Sequence, residues 1–271
     1  MQQRPFCVYL ASLRYGLTYI PLNTSFQYEE LTYFIYDSEP SLFICSPKIK
    51  SLIAKISGEK NIKLKIETIA GDGTGSLQEK LSKFKTQFDT VKCSKDDIAC
   101  ILYTSGTTGR PKGAMLSHKN LLVNGLALKE YWGFTKNDVL LHILPIYHCH
   151  GLFFASHCVL LSGSQMIFLP KFDTELIINH LPNTTVLMGV PTYYTRLLGN
   201  KRFSSKLTKK MRLFTSGSAP LLEKTFFEFK DRIGQEILER YGMTETGIIT
   251  SNPLNGNRIP VSVGRPLPKS R

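Results

Sequence analysis

The chain has 271 residues, 42% of them hydrophobic, and its 34 Lys and Arg outnumber 21 Asp and Glu for a formal net charge of +13. That length buries a sizeable core as one large domain or two ordinary ones, and the composition excludes disordered and fibrous classes. The longest apolar run, 151–163, is interrupted by His157 and falls short of a bilayer span, and no apolar segment follows the opening Met1-Gln-Gln-Arg-Pro.

A basic surface favours anionic partners. The lysines are dispersed, as at Lys201, Lys206, Lys209 and Lys210, with no basic helix stripe or basic–aromatic interleaving, so small anions are expected as partners and nucleic acid is not. The six cysteines, Cys7, Cys45, Cys93, Cys100, Cys149 and Cys158, form no C-x-x-C pair and sit mostly in apolar runs. They are expected as free thiols in a reducing, intracellular setting, cytoplasmic or mitochondrial.

In chain order, 6–15 is predicted helical and 18–22 a strand. Residues 28–37 read as a helix and 41–45 as a strand. A polar connecting region follows over 58–97, read as surface loops and an exposed helix around Gly-Asp-Gly-Thr-Gly-Ser at 71–76. Ile-Ala-Cys-Ile-Leu-Tyr at 98–103 is a short buried-strand signal. Ser117 is placed to cap a helix over 118–132 that Gly133 closes. Strands are expected at 165–170 and 184–191, and helices at 173–181 and 192–198. After Pro220, Leu222, Phe226, Phe229 and Ile233 make one helical face ended by Gly234. This alternation predicts an α/β fold with layered, mostly parallel sheets flanked by helices.

Residues 103–113 read Tyr-Thr-Ser-Gly-Thr-Thr-Gly-Arg-Pro-Lys-Gly, directly after the 98–103 strand signal. Such a loop suits phosphate: glycines let backbone N–H groups approach the oxygens, hydroxyls add donors, and Lys112 adds charge. It is not a Walker A loop, because Lys112 is followed by Gly113 rather than Ser or Thr.

This loop resembles the signature of the adenylate-forming superfamily, which includes acyl-CoA synthetases, adenylation domains and luciferases. Three further stretches resemble that superfamily in the expected order: 144–151 (LPIYHCHG) its acid-pocket motif, 216–220 (SGSAP) its adenine-side loop, and 241–246 (YGMTET) its nucleotide motif. The similarity covers nearly the whole chain. It implies a large N-terminal α/β domain that uses ATP, Mg²⁺ and, as co-substrate, CoA. By the same resemblance Thr104, Ser105, Gly106, Thr107, Thr108, Gly109 and Lys112 would hold the departing pyrophosphate. Thr244 would contact the α-phosphate and Glu245 would hold Mg²⁺, with Thr104, Lys112, Thr244 and Glu245 closest to the chemistry. Tyr241 and Gly242 would lie against the adenine, flanked by Ser218, Ala219 and Pro220.

The details of these motifs are most similar to malonyl-CoA synthetases, which implies malonate or methylmalonate as the acid. A dicarboxylate needs a fixed cation for the carboxylate that does not react, and arginine's planar fork suits it. Arg196 and Arg258 are the expected candidates, with Arg240 a third. On an extended segment His148 and His150 would share a face and could hold a metal, but no carboxylate or regular ligand spacing supports zinc there; the resemblance implies instead that they line the acid site, with Met243. Other acids stay open, as for a general acyl-CoA synthetase or a carrier-loading adenylation domain. The resemblance further implies that a full-length member begins before Pro5. It would continue past Arg271 into a ribose-binding aspartate, a hinge and a small domain carrying an adenylation lysine. Residues 1–271 thus read as a partial AMP-binding N-terminal domain, and a non-catalytic nucleotide-binding remnant is the alternative. The sequence sets no oligomeric state.

Overall fold

The structure, a computed structural model, describes residues 3–104 and 109–268. The chain divides into two units, Leu22–Val91 and a larger one made of Gln2–Pro21 with Lys92–Arg271.

In the smaller unit, α2 (Tyr28–Ser38), β1 (Leu42–Cys45), α3 (Lys50–Glu59), β2 (Lys65–Thr68) and α4 (Ser76–Leu81) follow in order. The strands β1 and β2 pair in parallel, Leu42 against Lys65 through Cys45 against Thr68. Leu31, Ile35, Cys45, Ile53 and Ile56 form its core. The 58–97 stretch therefore holds a strand as well as loops and a helix. The strand's one buried charge, Glu67, is satisfied by Lys80 and by the Ser76 hydroxyl at 2.6 Å. Those partners hold the carboxylate below its usual range.

The larger unit opens with α1 (Gln3–Tyr15). The strand expected at 18–22 is reduced to a single parallel bridge between Tyr19 and Cys100, because Pro21 has no N–H to extend the ladder. A hairpin follows, β3 (Ile98–Thr104) antiparallel to β4 (Lys112–Ser117). The glycine loop thus joins two strands rather than a strand and a helix. Ser117 then caps α5 (His118–Tyr131), its hydroxyl accepting from the Asn120 N–H at 3.2 Å, and Gly133 follows at φ +60°.

The seven-stranded sheet has the order β11-β10-β9-β8-β7-β5-β6. Its strands are β5 (Val139–His142), β6 (Gln165–Phe168), β7 (Val186–Gly189), β8 (Leu213–Ser216), β9 (Leu238–Met243), β10 (Gly247–Ser251) and β11 (Arg265–Pro266). Neighbours from β6 to β9 are parallel, and β10 and β11 are antiparallel additions at one edge. The helices on the way are α6 (Ser156–Ser162), α7 (Thr174–His180), α8 (Pro191–Leu198) and α9 (Glu223–Ile233).

The central strands are buried on both faces, so their sequences are continuous apolar runs and successive residues serve different cores. Leu140, Val186, Met188, Leu213 and Leu238 join the core that includes Tyr9, Leu128, Trp132, Phe153 and Cys158. Leu141, Leu187 and Phe214 join the other, with Ile177, Tyr194, Leu197, Phe226 and Phe229. On α9 the predicted stripe is buried at Phe226, Phe229 and Ile233, but Leu222 is 67% exposed because it is the cap residue before the first turn. Arg212 fastens the sheet's base, its Nε and Nη2 donating to the two oxygens of buried Asp138 at 2.7 and 2.8 Å.

Candidate active site

Three contacts, all within the larger unit, join the four motifs. Thr104, the last residue of β3, donates its hydroxyl to Glu245 Oε1 at 3.2 Å. Thr244 donates to Cys149 Sγ at 3.7 Å. Ser218 Oγ lies 3.3 Å from His150 Nδ1.

The glycine loop, expected to hold phosphate, is carried by the hairpin. Thr104 and Lys112 are register partners, so the loop between them starts and ends at one point, and the Lys112 side chain is exposed. Ser105, Gly106, Thr107 and Thr108 lie outside the described residues. Gly109 has φ +120°, a conformation that side-chain-bearing residues rarely adopt, with open space where a Cβ would stand.

The nucleotide motif is the turn between β9 and β10. A Cβ on Gly242 would fall far inside contact distance of the Gly247 carbonyl, so the hairpin closes only on glycine. The Met243 N–H donates to Thr246 Oγ1 at 3.3 Å, and Asn124 of α5 bonds both the carbonyl and the N–H of Ile248, at 2.9 and 3.3 Å. This bracing leaves Thr244 and Glu245 at the tip. Glu245 is exposed, and its carboxylate beside the Thr104 hydroxyl is an all-oxygen donor set of the kind a hard divalent cation takes, which fits Mg²⁺.

Tyr241 and Met243 share a face of β9 with Glu239, two apart along the strand, and are each 44% exposed. Glu239 Oε1 accepts from the Leu221 N–H at 3.0 Å, which ties β9 to the loop carrying Ser218, Ala219 and Pro220. All three loop residues are exposed, and Ser218 sits at φ +69°, an uncommon conformation for a residue with a side chain. Burial raises the Glu239 carboxyl.

The acid-pocket motif departs from the extended reading. After a turn it enters a π-helical segment, His150–Ala155, so His148 and His150 do not share a face. The wide turn has a local cause: His142 Nε2 and the Ser156 hydroxyl both bond the Gly151 carbonyl, at 2.9 and 2.8 Å, and compete with the regular helix ladder. His148 is exposed and packs on Tyr147 at 4.7 Å. His150 is buried, and its Nε2 has no partner among the described residues. Burial, then the nearby Arg240 charge, holds it well below the ordinary histidine range, so it is neutral.

The arginines are redistributed. Arg258 was expected at the acid, but its Nε and Nη2 donate to the carbonyls of Pro253 and Leu254, at 3.2 and 3.0 Å, and its Nη1 to that of Glu236. In this structure that guanidinium fastens the turn after β10. Arg196 on α8 lies over the Phe172 ring at 5.4 Å, and no contact among the described residues joins it to the three motif pairs above. Arg240, the third candidate, is 3% exposed on β9. Its Nε and Nη2 are buried without a partner among the described residues, and burial lowers its pKa to about 10. Its guanidinium stands 5.6 Å over the Phe154 ring, within electrostatic reach of His150 and Cys149.

A cavity of about 390 Å³ opens beside Thr244 and Glu245, walled by α5, Phe153, Phe154, His157 and Ile248.

The AMP-binding enzyme profile matches residues 4–271. The chain belongs to the AMP-binding enzyme family. This AMP-binding chain is 36% identical to the mitochondrial malonate–CoA ligase of Mus musculus over 95% of its own length and 46% of the relative's. It is 51% identical to ATP-bound MatB of Rhodopseudomonas palustris, with a TM-score of 0.94 over 97% of this chain and 52% of that one. A malonyl-CoA ligase bound to methylmalonyl-CoA and AMP matches with a TM-score of 0.82 at 31% identity, covering 97% of this chain and 54% of its own. The AMP-binding chain therefore spans about half the length of the relatives it matches.

Sequence reasoning missed Cys149, Asn124 and Glu239. Only Glu239 carried a signal, as one of two charges inside a strand otherwise flanked by apolar residues. The roles of Cys149 and Asn124 depend on partners 95 and 124 residues away.

Proposed function

We propose that this chain provides the nucleotide and acid sites for ATP-dependent activation of a short dicarboxylic acid, malonate or methylmalonate. A carboxylate oxygen of the acid attacks the α-phosphorus of ATP, forming the acyl-adenylate as the bond to pyrophosphate breaks. The CoA thiol then attacks the acyl carbon, giving acyl-CoA and releasing AMP. The work of the protein is positioning and charge neutralisation.

In this reading Thr104, Ser105, Gly106, Thr107, Thr108, Gly109 and Lys112 hold the β- and γ-phosphates, and Thr244 contacts the α-phosphate. Glu245 would hold Mg²⁺, which when bound neutralises phosphate charge. Tyr241 and Gly242 bind the adenine with Ser218, Ala219 and Pro220, while His148, His150, Arg196 and Met243 line the acid site. The observation that carries the dicarboxylate is Arg240: a buried cation with two donors that have no partner among the described residues. An unpaired buried charge is costly, and a second carboxylate would pair it. The malonate and methylmalonate named in the relatives support the same acids.

The test is exchange of labelled pyrophosphate into ATP with malonate, methylmalonate, acetate or octanoate. Exchange with the two dicarboxylates alone is expected, and equal exchange with acetate overturns the assignment. The cavity beside Thr244 favours one second reading, an acid with an apolar tail, as for a general acyl-CoA synthetase or carrier-loading domain. Octanoate-dependent exchange would establish it. ATP binding with no exchange for any acid would mark a nucleotide-binding remnant.

A further inference from the structure

A Cβ built on Gly217 would stand 2.6 Å from Arg240 Cζ and 2.7 Å from both Nε and Nη1. Its three nearest atoms all belong to one guanidinium. The backbone of Gly217 is not in the left-handed region, so its conformation does not itself demand glycine. Gly242 differs, because there the nearest atoms are the backbone of β10. The Phe154 ring covers the same guanidinium at 5.6 Å.

We propose that Gly217 is a specificity-determining positioning residue: the missing side chain makes the slot, closed by Phe154, that holds Arg240 ready for the distal carboxylate of the acid. This rests on the dicarboxylate reading of Arg240. In Gly217→Ala a methyl group would occupy the guanidinium's place. Arginine is long and flexible, so the side chain swings away while the strand stays where it is. The chain then keeps its fold and loses its grip on the second carboxylate.

The slot is tested first without ligand. The Arg240 Nε–Hε proton resonance, identified by its disappearance in Arg240→Ala, should carry a ring-current shift from Phe154 that Gly217→Ala abolishes. The unfolding midpoint should change by no more than about 2 °C. An unchanged resonance in Gly217→Ala overturns the slot.

Affinity is then read by titrating malonate and propionate calorimetrically with the ATP analogue α,β-methylene-ATP present. Gly217→Ala should weaken malonate by about tenfold or more and leave propionate within about twofold. Adding Gly217→Ala to Arg240→Ala should cost nothing further, because the methyl group then has room. Full loss persisting in the Arg240→Ala background, or equal loss for both acids, overturns the inference. Failure of the underlying reading is separate: Arg240→Ala would then keep the parent's preference for malonate over propionate, or the parent chain would show none, whatever the resonance does.

Discussion

Thr104 and Glu245, 141 residues apart in sequence, meet in a 3.2 Å hydrogen bond between a hydroxyl and a carboxylate. One ends the strand that enters the glycine loop and the other stands at the tip of the β9–β10 turn, so the loop proposed to hold phosphate and the carboxylate proposed to hold Mg²⁺ meet at one point. Glu245→Gln keeps the shape and removes the charge. Malonate-dependent pyrophosphate exchange should fall by about 10²-fold or more, and Thr104→Val should fall less, by about tenfold. Both variants should unfold at the parent temperature, because Glu245 is exposed.

Arg240 makes the opposite demand on stability and function. Replacing it with Met removes a buried cation with unpartnered donors and leaves an apolar side chain beside Phe154. Such exchanges are often stabilising by about 1 kcal/mol or more. For a chain of this size that gain raises Tm by about 2–4 °C. The expected outcome is a higher Tm with malonate use lost, measured by thermal unfolding and exchange on one preparation.

His142 and His157 are both buried, and burial lowers each from 6.5 to about 4. The unfolded chain therefore binds more protons between those values, and stability rises with pH across that window. The contribution is complete above pH 6.5 and disappears as pH falls toward 4. His157→Gln should flatten the slope of the urea midpoint between pH 4.5 and 6.5. An unchanged slope would place the protons elsewhere. Tyr9 bonds His157 at 2.8 Å, so this variant also reports on the seat of α1.

Asp138 loses its guanidinium partner in Arg212→Ala and is left buried, with its two hydroxyl contacts at Thr135 and Thr185. Breaking such a pair on one side costs about 3 kcal/mol, read as a lower urea midpoint with exchange specificity unaltered. The Arg212 guanidinium holds the Asp138 carboxyl below its usual range against burial, so the parent's advantage over Arg212→Ala should shrink as pH falls and Asp138 protonates.

Gly242→Ala separates backbone need from side-chain need. Its methyl group meets the Gly247 carbonyl and Ile248 Cα, neither of which has anywhere to go. Loss of about 2 kcal/mol or more is expected, with Thr244 and Glu245 displaced and exchange abolished.

Some of the helices that the sequence announced carried local punctuation. Ser117 before α5, Asp173 before α7 and Gly234 after α9 each act within one turn of themselves, which is why they are readable. The strand β7 was readable too, because burial on both faces leaves an unbroken apolar run. In contrast, β4 and β9 read as loop and motif. Lys112-Gly-Ala-Met-Leu-Ser has little strand preference of its own and is held by its hairpin partner, while β9 carries Glu239 and Arg240 because its two faces meet different polar surroundings. The four motifs were legible as runs of residue types. Which arginine keeps donors without a partner among the described residues was not: Arg258 is committed by the Glu236 carbonyl 22 residues away, and Arg240 is spared by Gly217, just past the end of the neighbouring strand β8.

The hydrogen bond between Thr104 and Glu245 also sets a timetable. A ribosome adding about 5–20 residues per second makes Thr104 roughly 7–30 s before Glu245 exists. The β3–β4 hairpin can close in that interval, since Thr104 and Lys112 are only eight positions apart. The nascent chain can thus hold the β3–β4 ladder, with Thr104 already set against Lys112, long before the β9–β10 turn that Thr104 bonds has been synthesised.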